Sequence, residues 1–209
     1  MGPNDLLSQI DFPGMLMAIG LGYLLGSIPF GLFFAWISGA GDVRKIGSGN
    51  IGATNVLRTG RKGLAAATLI LDAVKGAAAV LLAAWIWPDQ PQFPGIAGIG
   101  AFLGHLFPFW LRFRGGKGLA TAGGIVAVLH WPSALVAACV WLAALALTRI
   151  SSVGGMMAAI AAPVAAAAFG QFDLAILFLG FALLILWKHR ANIARLVAGT
   201  EPKVGRAAR

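Results

Sequence analysis

Two short runs carry the side chains that could do chemistry. GSGNIGATNVLR, 47–58, threads Ser48, Asn50, Thr54 and Asn55 among three glycines and closes on Arg58. RFRGGKG, 112–118, sets Lys117 among Gly115, Gly116 and Gly118. Glycine lets the backbone come close to a ligand and present its N–H groups, and such nests bind anions. Hydroxyl and amide side chains add neutral donors. Arginine contributes a planar charged fork and lysine a point charge. The combination predicts a phosphate site, with Gly49 and Gly52 shaping the first loop and Ser48, Asn50, Thr54, Asn55 and Arg58 facing the ligand. Two histidines are further candidates for substrate contact. His105 stands in GHLFPFW just before the second run, and His189 opens the tail beside Arg190 and Asn192.

GSGNIG also satisfies the dinucleotide pattern G-x-G-x-x-G, and Asp72 stands twenty residues past Gly52. That fingerprint needs a strand before it, a helix after it and a βαβ unit around it. Here the flanks are long apolar runs and Asp72 falls inside the next one, so the match is a decoy. GGKG fails as a P-loop, because Leu111 replaces the first glycine and Gly118 the Ser or Thr. There is no G-x-S-x-G and no H-E-x-x-H. Trp110, Leu135 and Ala194 stand five positions after the histidines, where an H-x4-D acyltransferase carries aspartate. No cysteine and histidine cluster has metal-ligand spacing, and the single Cys139 rules out an internal disulfide. No metal and no cofactor is expected.

The elements that must position these runs are set by composition. Of 209 residues 59% are hydrophobic and 11% charged, and mean hydropathy is +0.84. A soluble core cannot hide that much apolar surface. The N-terminus, MGPNDLLSQID, lacks the basic start of a cleaved signal peptide. Spans are expected near 13–38, 63–88, 90–111, 118–148, 150–172 and 174–187. The run 118–148 is longer than one crossing needs and is cut by HWPS at 130–133, where proline favours a turn. Splitting it gives seven spans, some short, and puts fifteen of the sixteen basic residues in loops of one face, with Lys75 inside a helix. The opposite face then holds only Asp5, Asp11, Asp89 and Asp173. The positive-inside rule therefore predicts an all-α, seven-helix polytopic membrane protein, N-terminus outside and C-terminus cytoplasmic, forming one domain over 1–209. The net charge of +9 then serves orientation and anionic headgroups, not nucleic acid. Asp72 and Lys75 are spaced i, i+3 and are expected to pair inside the bilayer.

Three stretches together resemble one family. GSGNIGATNVLR (47–58), GHLFPFWLRFRGGKGLAT (104–121) and HRANIARLVAGTEPK (189–203) are similar to the three signature segments of the bacterial acyl-phosphate:glycerol-3-phosphate acyltransferases. LDAVKG, 71–76, looks like that family's second helix, and the resemblance runs from about Gly26 to Lys203. It implies transfer of a fatty acyl group from an acyl phosphate to the 1-hydroxyl of sn-glycerol 3-phosphate, giving lysophosphatidate and phosphate, at the cytoplasmic face of a bacterial inner membrane. By motif match Ser48, Arg58 and Lys117 would hold glycerol phosphate. Asn50, Thr54, Asn55, His189 and Asn192 would line the site, and the glycine loops would cradle the donor phosphate. His189, Asn192 and Lys117 are the catalytic candidates. The partners implied are the two substrates and the lipid bilayer, with no nucleic acid and no protein partner.

Both substrates bear phosphate, which accounts for two basic glycine loops on one face, and the fatty chain accounts for a bilayer location. An acyl phosphate carries a good leaving group, so direct attack without an acyl-enzyme is expected. The base is either the donor's own phosphate or His189. A small transporter or channel for an anionic metabolite is the alternative, and it predicts polar groups along a path through the spans. A transferase that uses clustered aspartates for metal ions is disfavoured by seven scattered acids.

Overall fold

The computed structural model describes residues 11–45 and 49–204. Among the described residues ten α-helices follow one another, with no strand: α1 Phe12–Gly26, α2 Phe30–Ile37, α3 Ala53–Leu57, α4 Lys62–Ile86, α5 Phe93–Leu106, α6 Leu119–Leu129, α7 Trp131–Thr148, α8 Ser151–Ala168, α9 Phe172–Lys188 and α10 Arg190–Val197. The starts are written in local chemistry. Asp11 caps α1, its Oδ1 accepting from Gly14 N–H at 2.9 Å. Pro13, Pro94 and Pro132 occupy first turns, where a missing N–H costs nothing. Ser27 to Pro29 interrupt the first apolar run, because Pro29 can donate no helical bond. The expected turn at HWPS is present: His130 ends α6 and precedes α7, its Nδ1 2.8 Å from Ser133 Oγ.

Packing relies on small residues. Gly22 and Gly26 of α1 lie against α5, and Gly100 and Gly104 of α5 lie against α1. A Cβ on Gly22 would sit 2.0 Å from Ala97 O, and one on Gly104 2.3 Å from Tyr23 O. Backbones this close are the mode by which helices associate when lipid removes the hydrophobic drive between them. α4 meets α6, and α7, α8 and α9 pack in series. Phe102, Leu106, Ile125, Phe178, Phe181 and Ile185 fill the centre, with the Phe102 and Phe181 rings 4.5 Å apart.

The outer surface is apolar: Trp36, Trp85 and Leu147 are 77%, 79% and 86% exposed. Such a jacket fits lipid, not water. Among the described residues five segments are long and apolar enough to cross a bilayer: Phe12–Ile37, α4, Phe93–Leu111, α7 and α8. α9 and α10, bent by 57°, pass together as a sixth. The eleven-residue α6 rises only about 16 Å, roughly half a bilayer core.

Candidate functional site

The second basic run folds back onto the end of α5. The last carbonyls of a helix find no partner inside it. Here Gly115 N–H donates to Leu106 O at 3.2 Å and Gly116 N–H to His105 O at 3.1 Å. Lys188 Nζ adds a bond to Leu106 O at 2.8 Å. Both positions need glycine for contact: a Cβ on Gly115 would lie 2.1 Å from His105 O, and one on Gly116 2.1 Å from His105 Nε2. This corrects one expectation. The N–H groups of Gly115 and Gly116, read as donors to a phosphate, are engaged by the helix end. Gly118 has φ +84, a conformation glycine adopts freely, and starts α6.

The turn delivers Lys117 to the tail. Lys117 Nζ donates to Asn192 Oδ1 at 2.5 Å. Asn192 Nδ2 and Ser152 Oγ both donate to Glu201 Oε1, at 2.6 and 2.7 Å, and Arg195 Nε reaches Glu201 Oε2 at 2.7 Å. The Glu201 side chain is only 4% exposed. The segment that carries it is tied down by Val204 N–H donating to Arg149 O at 2.7 Å. In the first loop Asn55 is buried and donates from Nδ2 to Val43 O at 2.6 Å, while its Oδ1 accepts from the Arg58 guanidinium at 3.3 Å. Thr54 Oγ1 lies 2.9 Å from Ser151 Oγ. Gly49 has φ +69, Gly52 caps α3, and Asn50 is half-buried. Ser48 lies outside the described residues. The loops before α4, α6 and α8 thus meet the tail at one end of the bundle.

α6 and α8 both begin without a side-chain cap, and the first residue of α6 packs on the second turn of α8. A Cβ on Gly155 would lie 3.1 Å from Leu119 and 3.6 Å from His189 Nε2. Uncapped helix starts carry partial positive charge and free N–H groups, which suit an anion. His189 is 4% exposed. Its Nδ1 lies 2.8 Å from Ile185 O; a carbonyl only accepts, so Nδ1 carries the proton and Nε2 is left as an acceptor.

Charge balance is tight. Burial lowers the Lys117 pKa to about 8; the Glu201 charge pulls it up while Arg195 and Arg58 push it down. Burial alone would raise the Glu201 carboxyl, but the bonds from Ser152, Asn192 and Arg195 outweigh it and hold the pKa below the usual carboxylate range. His105 sits beneath the second loop, its Nε2 against Gly116. It is 4% exposed, with Nδ1 3.7 Å from Asp72 Oδ1. Asp72 in turn pairs with Lys75 at 2.7 Å, as the i, i+3 spacing predicts.

Ser151, Ser152, Arg195 and Glu201 belong to this cluster and were missed from sequence. One signal was available for Glu201: it is the chain's single glutamate, set in an otherwise basic tail. Beside the cluster an apolar cleft of about 350 Å³ runs between α6, α7, α8 and α9, lined among others by Leu119, Trp141, Ala162, Phe178 and Ile185.

A family model described as glycerol-3-phosphate acyltransferase matches residues 16–199. A glycerol-3-phosphate acyltransferase of Mesorhizobium japonicum is 56% identical over 192 residues, 92% of this chain and 97% of that protein. One from a Bradyrhizobium strain is 54% identical over 205 residues, 98% of each. Among solved structures, the glycerol 3-phosphate form of PlsY (YgiH), an integral membrane glycerol 3-phosphate acyltransferase, superposes with a TM-score of 0.86. It is 35% identical, and the match covers 91% of this chain and 96% of that one. The lysophosphatidic acid form of PlsY gives 0.82 at 33% identity, covering 91% and 95%.

Proposed function

The chain belongs to the glycerol-3-phosphate acyltransferase family, and on that premise we propose how its residues perform the transfer. It is an integral membrane acyltransferase that converts glycerol 3-phosphate to lysophosphatidate. The donor is a long-chain acyl phosphate, whose chain lies in the apolar cleft and whose phosphate meets the uncapped starts of α6 and α8. Arg58 and Lys117, with Ser48, bind the phosphate of glycerol 3-phosphate. Gly49, Asn50, Gly52, Thr54 and Asn55 shape the loop that carries Arg58, and Gly115, Gly116 and Gly118 set the path of the loop that carries Lys117. Asn192 orients Lys117, and His189 borders the reacting carbon. One observation carries this reading. Leu119 and Ile185 line the apolar cleft, and the polar cluster begins at their neighbours, with His189 Nδ1 bonded to Ile185 O itself. A molecule with an apolar chain and an anionic head fits that junction.

The hydroxyl oxygen on C1 of glycerol 3-phosphate attacks the acyl carbonyl carbon. The bond from that carbon to the phosphate oxygen breaks, and the hydroxyl proton leaves on the departing phosphate. The products are lysophosphatidate and inorganic phosphate. Positioning and charge neutralisation by Lys117, Arg58 and the helix starts supply most of the acceleration, since the leaving group is already good. No acyl-enzyme forms and no cofactor is required. His189 as base is the rival within this scheme, and its free Nε2 acceptor keeps it one. In the bilayer the chain makes seven crossings, some short, with the N-terminus outside and the basic end facing the cytoplasm of a bacterial inner membrane.

The test uses purified protein in lipid with labelled glycerol 3-phosphate, comparing palmitoyl phosphate with palmitoyl-CoA. Labelled lysophosphatidate from palmitoyl phosphate is the expected result. Product from neither donor, or from the CoA ester alone, overturns the proposal.

A further inference from the structure

We propose that Asp72, Lys75 and His105 form a buried positioning set that holds the Gly115–Gly116–Lys117 segment at the depth where Lys117 meets phosphate. The inference rests on the reading of Lys117 as a phosphate ligand.

The three residues are 3%, 4% and 4% exposed, inside a bundle whose surroundings are apolar. Groups of this kind are costly to bury, and an apolar set of equal volume packs at least as well. What apolar groups lack is direction. Lys75 Nζ lies 2.7 Å from Asp72 Oδ1 and also donates to Ile28 O at 2.7 Å. Ile28 sits in the break between α1 and α2, where a carbonyl is freed from the helical pattern. The same break anchors the approach to the second loop. Trp110 Nε1 donates to Ser27 O at 2.9 Å, and one turn back the Tyr23 hydroxyl donates to Phe107 O at 2.7 Å.

On the other side of Asp72 stands His105. Its Nδ1 faces Asp72 Oδ1 across 3.7 Å and has no hydrogen-bond partner among the described residues. The opposite ring edge, Nε2, lies directly under Gly116, so close that a Cβ there would be 2.1 Å away. Gly116 is not among the glycines with positive φ; the ring, not the backbone conformation, forbids a side chain. Lys117 is the next residue. The line of contact therefore runs from the helix break through Lys75, Asp72 and His105 to the loop that carries the ammonium, and none of the three lines the apolar cleft.

The test is a double-mutant cycle read in KM for glycerol 3-phosphate, with protein in lipid. His105→Asn keeps a donor on the Asp72 side and removes the ring edge beneath Gly116, while Gly116→Ala drives a methyl into that edge. Gly116→Ala should raise KM about tenfold with a smaller change in kcat, and the double variant should fall back toward His105→Asn alone. If Gly116→Ala does not fold and the double variant does, that rescue supports the contact equally. Singles that multiply in the double variant, or that leave KM unmoved, overturn the proposal. Asp72→Asn keeps the shape and removes the charge; a raised KM is expected, and an unchanged one removes Asp72 from the set and overturns the three-residue form. Lys117→Ala separates the two readings. Should it leave KM unchanged, Lys117 is no phosphate ligand and both fall; should it raise KM beside an additive cycle, only this inference falls.

Discussion

Lys117 holds its charge against burial with one carboxylate near it and two guanidinium groups opposing it, so its titration reports on the whole site. With a pKa of about 8, its ammonium is charged at neutral pH and discharges as pH rises through that value. In the free enzyme kcat/KM for glycerol 3-phosphate should therefore fall on an alkaline limb near pH 8, not near the ordinary lysine value of about 10.4. Glu201→Gln removes the charge that pulls this pKa up and should move the limb to lower pH. Lys117→Arg, charged throughout, should abolish it. A limb that stays near the ordinary value in the unaltered enzyme, or that ignores Glu201→Gln, would contradict the assignment.

The α1–α5 contact works through glycine spacing, and it holds the helix whose end receives the second loop. Two residues on one helix separate packing from propensity. A Cβ on Gly22 meets Ala97 O at 2.0 Å, whereas one on Gly20 meets nothing within 4 Å. Gly22→Ala should thus destabilise by about 1–3 kcal/mol or more by overpacking, and Gly20→Ala should leave stability unchanged or slightly raised, since alanine is the better helix former. Thermal unfolding of both variants in one detergent gives the comparison; equal melting temperatures would mean that α1 and α5 do not meet through these glycines.

The molecule as a whole is polar at one end and apolar along its sides, and its cleft joins the two. Asp72 and Lys75, deep in α4, pair with each other, and Lys75 also donates to the Ile28 carbonyl, an arrangement unlike the path of polar groups that a channel needs. Ala134 lines the cleft near the start of α7, away from the polar cluster at that helix's other end. Ala134→Phe should fill the far part and shift preference toward shorter acyl donors, with KM for glycerol 3-phosphate unmoved. Competition between lauroyl and palmitoyl phosphate measures the shift, and an unchanged ratio would remove the acyl chain from this cleft.

Composition and charge by themselves determined the helical membrane character, because apolar runs and the side on which basic residues gather are local properties of the chain. The spacing of Asp72 and Lys75 determined their pairing for the same reason: one helix carries both. The motifs named the chemistry, yet they misassigned the N–H groups of Gly115 and Gly116, since nothing local says that a loop will close the end of the helix before it. Ser152 and Glu201 went unseen because they are 49 residues apart and meet only when the tail folds across α8. Residue types set what a phosphate site can be made of. Which donors remain free to bind one depends on contacts between distant elements, and those exist only in the folded bundle.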